Sequence, residues 1–136
     1  MNTREEGSEL KLDFGKIAKV AATCRDVVPV AVQHADTGQV ILIAYTNEAA
    51  FRLSLETRTL VLWSTSRNEL WEKGKTSGET FELVEARVNC EQNSLLYRVR
   101  PRRGGICHTR NSTGAPRNCF YRRIEAGTLR LENLDP

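Results

Sequence analysis

The chain has 136 residues, enough for one domain to bury a core without disulfide staples and too few for two ordinary domains. Its 40% apolar and 27% charged residues make a globular mix, and no apolar run is long enough for a membrane helix. Twenty basic against 17 acidic residues leave a net charge of +3, too mild for bulk nucleic-acid binding but suited to an anionic small substrate if the positive charge is clustered.

In chain order, residues 1–20 are expected to form a partly flexible arm and residues 21–136 the domain. The opening "MNTREEGSELKLDFG" is polar and lacks the apolar segment of a secretory signal, which predicts a cytoplasmic protein with reduced thiols. "FGKIAKVAA" suits a short helix or an extended arm. "VVPVAVQHADTGQVILIAYTN" predicts a β-hairpin, with two β-branched runs flanking Asp36-Thr37-Gly38. In "TNEAAFRLSLETR", Thr46 or Asn47 can cap a helix of about ten residues, with Glu48 in its first turn. "TLVLWSTS" and "NELWEKG" are the next strands, and "KTSGET" is a turn. "FELVEARVN" alternates apolar and polar from Phe81 to Val88, and "SLLYRVR" is its hairpin partner. "NCFYRRI" is a short strand and "TLRLENLDP" closes the chain. The sum is α+β: a single compact domain of short, mostly antiparallel strands with one main helix.

Two patterns point to chemistry. Arg98, Arg100, Arg102, Arg103, Arg110, Arg117, Arg122 and Arg123 fall within one short stretch, and Glu125 is the only acid between residues 92 and 131. Such a run is either a solvated basic face or a surface for phosphate, which the arginine fork suits. The other pattern is cysteine. Cys24, beside Arg25 in an apolar run, reads as a core filler. Cys90 ends a strand, and Cys107 and Cys119 flank a loop rich in Gly, Asn, Ser and Pro. Three thiolates could hold Zn²⁺ and leave one position open, and His108 beside Cys107 could act as a base. Gaps of 16 and 11 residues match no standard zinc finger, so small buried cysteines and a structural histidine stay open as alternatives.

"LIAYTNEAAFRLSLET", "LWSTSRNELWEKGKTSGE", "ARVNCEQNSLLYRV" and "CHT…NCFYRR" occur in that order. The succession resembles the phosphoribosyl-AMP cyclohydrolases over about residues 27–123, and the block from Trp63 to Gly78 is its most specific part. The resemblance implies hydrolytic opening of the N1–C6 bond of the adenine ring of phosphoribosyl-AMP, the third step of histidine biosynthesis, without release of ammonia. It implies a homodimer with jointly built active sites, and Zn²⁺ held by Cys90, Cys107 and Cys119, the first shared across the dimer. His108 is the candidate catalytic residue. Ser64, Ser66, Arg67, Lys73, Thr76 and Ser77 are candidates for phosphate and ribose contacts, while Trp63 and Trp71 are expected to pack.

Two departures accompany the likeness. The family pattern Asp-Cys-Asp-x-Asp, whose carboxylates bind Mg²⁺, is Asn89-Cys90-Glu91-Gln92-Asn93 here. Two amides and one longer acid at Asn89, Glu91 and Asn93 should weaken that Mg²⁺ site severely. The loop between the last two cysteines has eleven residues where six are usual, and Arg110 stands where glycine is usual. Arginines of the longer loop could replace charge lost with the magnesium. Two other readings remain: a zinc hydrolase acting on a different nucleotide or heterocycle, and a non-catalytic zinc-stabilised module that binds nucleotides or RNA. The leading reading needs neither nucleic acid nor membrane as partner.

Overall fold

Alternating burial along paired strands builds the core. The computed structural model describes residues 3–75, 79–103 and 106–136. Two helices come first, α1 (Thr3–Glu6) and α2 (Lys16–Thr23); the second anchors by Val20 and ends at the buried Cys24, the expected core filler. Strands β1 (Val28–His34) and β2 (Val40–Thr46) form the predicted hairpin, with Val28 opposite Thr46 and Val32 opposite Leu42. Gly38 takes φ +75 in its turn, a conformation that costs a residue without Cβ little.

Helix α3 (Glu48–Thr57) has the ten residues its pattern predicts. Of the two candidate caps, Asn47 serves: its side chain accepts the Ala50 N–H at 3.0 Å. Ser54 ties the helix to the next strand, β3 (Val61–Ser64), donating to the Val61 carbonyl at 2.7 Å and accepting its N–H at 3.0 Å. β3 pairs antiparallel with β4 (Glu69–Glu72). β5 (Phe81–Val88) and β6 (Leu95–Pro101) form the second predicted hairpin, with a bulge between Leu83 and Glu85. A last hairpin joins β7 (Arg122–Ile124) to β8 (Leu131–Asn133).

The main sheet runs β2-β1-β6-β5. Its central pair, β1 with β6, is parallel, with Val30 beside Leu95 and Val32 beside Tyr97; the other strand pairs are antiparallel. Val30, Val32, Leu60, Leu62, Phe81, Tyr97 and Val99 are fully buried. Burial pushes the Tyr97 hydroxyl up to about 12, against the opposing effect of the Thr46 and Ser54 hydroxyls beside it.

The strand expected over "NCFYRRI" is shorter than its pattern. The Asn118 side chain accepts the Phe120 N–H at 2.7 Å and turns the chain, so pairing starts only at Arg122. Thr76 and Ser77 of the expected turn lie outside the described residues. Among the described residues no helix is long and apolar enough to cross a membrane.

Candidate active site

Three of the four motif segments reach one cavity of about 330 Å³, and the segment around Cys90 does not. Leu42 to Tyr45 of the edge strand β2 form one wall. Trp63, Ser64, Thr65 and Ser66, from the end of β3 and its turn, form another, with Trp71 and Lys73 from β4 and just beyond. Cys107, His108 and Cys119 close it, together with Lys16 and Ile106. A two-stranded unit and a loop that are far apart in the chain thus face each other across the sheet edge.

The described motif residues make local contacts. Ser64 is buried at the end of β3; its hydroxyl lies 3.3 Å from that of Ser66 and accepts the backbone N–H and Nε of Arg67, each at 3.3 Å. Arg67 also faces Glu69 at 3.4 Å and does not line the cavity. Lys73 does, with its ammonium 5.6 Å from the Trp71 ring centre. Trp71 packs against the core as expected, and it and the half-buried Trp63 also form cavity wall; Trp63 Nε1 donates to Asn68 Oδ1 at 3.0 Å.

The two cysteine sulfurs meet. Cys107 and Cys119 interact through their sulfurs, and Cys107 Sγ also accepts from Thr109 Oγ1 at 3.3 Å and Thr109 N–H at 3.5 Å. The interaction with Cys119 comes first among the causes that hold Cys107 down at about 5, and the two Thr109 donors add to it against half-burial. Cys119, itself exposed, is pushed up in turn, chiefly by its interaction with Cys107. The pairing lowers one sulfur and raises the other, so the two thiols favour losing one proton between them before a second. Such a pair suits a metal that takes sulfur ligands.

Cys90 stands apart. It is exposed, in the turn between β5 and β6, at the sheet edge opposite β2. Three strand spacings separate those edges, about 14 Å. Among the described residues no three His, Cys, Asp or Glu side chains gather as a metal group. Two sulfurs of the expected trio therefore meet within one chain, and the third faces outward.

The residues around Cys90 satisfy one another. Asn89 Oδ1 accepts the N–H groups of Asn93 and Ser94 at 2.9 and 3.0 Å, and its amide donates to Asn93 Oδ1 at 2.7 Å. Asn93 in turn donates to Glu91 at 3.3 Å. Oxygens that carboxylates would offer to a hard cation are occupied by N–H donors, so this turn does not fit Mg²⁺.

The arginine cluster does not survive folding. Arg100 pairs with Asp36 and Glu82, Arg98 donates to the Ala35 carbonyl, and Arg102 donates to that of Arg58. Arg110 donates to Gly114 within its own loop, and Arg117 is buried against Glu6. Strand alternation and the terminal segments spread these side chains over the scaffold, where they bind carbonyls and carboxylates of the same chain. The expectation that loop arginines replace magnesium's charge therefore fails for Arg110 and Arg117, which hold the loop itself. The cavity's cations are Lys16 and Lys73. The polar arm gave no hint of Lys16, nor of Glu5, whose carboxylate lies 3.0 Å from His108 Nε2.

Residues 42–121 match the family model described as phosphoribosyl-AMP cyclohydrolase. The chain is 49% identical over 104 residues to the phosphoribosyl-AMP cyclohydrolase of Caulobacter vibrioides, covering 76% of this chain and 70% of that one. It is 40% identical over 128 residues to the protein of the same name from Hyphomonas neptunium, covering 94% and 87%. It is also 40% identical over 103 residues to the histidine biosynthesis bifunctional protein of Aquifex aeolicus, covering 76% of this chain and 48% of that protein.

Proposed function

Because the chain belongs to the phosphoribosyl-AMP cyclohydrolase family, we propose that it hydrolyses the N1–C6 bond of the adenine ring of phosphoribosyl-AMP, a step of histidine biosynthesis. The observation that carries this reading is the meeting of Cys107, His108 and Cys119 with the Trp63–Lys73 segment around one cavity. In this reading Cys107 and Cys119 of one chain, with Cys90 of a second copy, hold Zn²⁺, and the enzyme is a homodimer. The placement of Cys107 and Cys119 on one cavity supports it, since a metal that takes sulfur ligands displaces the thiol protons as it binds. When bound, zinc supplies Lewis acidity toward water.

The chain's own residues account for the rest. Alkylation at N1 leaves the purine electron-poor, so C6 accepts water. As the N1–C6 bond breaks, C6 keeps its exocyclic nitrogen and gains an oxygen, and N1 gains a proton. In this reading His108, at the cavity, moves that proton. Trp63 and Trp71 give the ring an apolar wall, and Lys16 and Lys73 offer cations to the substrate phosphates. No step is assigned to Mg²⁺. The role needs reduced thiols, which suits the cytoplasm.

The amide-rich turn at Asn89–Asn93 and the eleven-residue loop favour a second reading, a related hydrolase with an altered heterocyclic substrate. Assay of the purified protein with phosphoribosyl-AMP, with metals measured on the same sample, separates the two. We expect about one zinc per chain and ring-opened product without ammonia, and expect Cys119→Ala to lose both zinc and turnover. Zinc without turnover transfers support to the altered substrate.

A further inference from the structure

We infer that Glu5 is a positioning residue for His108, delivered to the cavity by an N-terminal strap. The inference rests on the reading of His108 as the proton carrier. The strap lies outside residues 42–121, where the family model matches.

The strap is held along its length. Arg122 donates to the carbonyls of Gly7 and Arg4 at 2.9 and 2.7 Å, and the Tyr121 hydroxyl donates to the carbonyl of Glu5. Arg117 grips the Glu6 carboxylate at 2.8 and 3.1 Å and stacks its guanidinium 4.5 Å from the Tyr121 ring centre. Leu131 N–H donates to the Ser8 carbonyl at 2.8 Å. The backbone of Glu5 is thus fixed beside the loop that carries Cys107 and Cys119.

From there its carboxylate lies 3.0 Å from His108 Nε2. The His108 side chain is 72% exposed, so packing does not orient the ring. A carboxylate can only accept, so a neutral imidazole must carry its proton on Nε2 and leave Nδ1 as the basic nitrogen. Outer carboxylates that fix a histidine tautomer in this way govern whether the ring can do proton chemistry at all.

The test reads the tautomer directly, by nitrogen-15 NMR of the zinc-loaded protein at a pH where imidazole is neutral. The chain has two histidines, and a His34→Gln variant assigns the signals. We expect the Nε2–H form of His108 in the native protein and in Glu5→Gln, whose amide oxygen still accepts, and a tautomer mixture in Glu5→Ala. In Glu5→Ala kcat should fall about ten- to a hundredfold with KM within about twofold and zinc content unchanged, and Glu5→Gln should recover most of the loss. A native-like tautomer in Glu5→Ala, or a tautomer mixture in the native protein, overturns the inference. Tautomers as expected with no turnover in any form uphold the pairing and overturn the proposed reaction instead.

Discussion

An asparagine in place of an aspartate changes what a turn can hold. Each amide brings donors where a carboxylate has only acceptors, and the turn around Cys90 uses them: Asn89 bonds to Asn93, and Asn93 to Glu91. The turn closes on itself without a cation. Mg²⁺ at millimolar concentration should therefore leave the melting temperature of the native protein unchanged. In Asn89→Asp/Asn93→Asp the same titration should raise it, by about 1–3 kcal/mol of linked stability once Mg²⁺ exceeds its dissociation constant ten- to a hundredfold. Differential scanning calorimetry with and without Mg²⁺ measures both. A clear Mg²⁺-dependent rise in the native protein would show that the amide-rich turn still coordinates the ion.

At the scale of elements, the site depends on how β3 is held, and Ser54 is the clasp. It sits in the middle of α3, fully buried, and satisfies both backbone groups of Val61. Ser54→Ala leaves a buried N–H and C=O without that partner, and we expect a loss of about 1–3 kcal/mol in urea unfolding. Unchanged stability would mean that Val61 finds other partners. This clasp was not legible in the sequence, because a serine within a helical pattern carries no mark of the strand it will meet. What was legible is local. Asn47 before Glu48 announced α3, Asp36-Thr37-Gly38 announced the first hairpin, and alternation from Phe81 to Val88 announced β5. The parallel pairing of β1 with β6 joins Val30 to Leu95, and no short-range pattern encodes a register over that distance. The arginine run misled for the same reason. Arg98, Arg100 and Arg102 are neighbours in the chain but bond to Ala35, Asp36 and Arg58, partners that only the tertiary fold supplies.

At the scale of the whole molecule, the sequence motifs and the fold divide the cysteines differently. The motifs name three, while the fold brings Cys107 and Cys119 together and sets Cys90 at the opposite sheet edge. If the proposed zinc site is completed by a second copy, it is a property of the dimer, and complementation between subunits follows. Cys90→Ala retains the paired sulfurs, and Cys119→Ala retains the donated one. Each variant alone has no complete trio. A heterodimer of the two has one complete trio and one doubly depleted site. Equal mixing with free subunit exchange yields heterodimers as half of all dimers, so turnover should return to about a quarter of the native value. The same fraction of zinc sites should refill, and measuring metal content alongside turnover guards against a general loss of folding. No recovery above the two variants measured separately, under conditions where labelled subunits are seen to exchange, would place all the zinc ligands within one chain and remove Cys90 from the site.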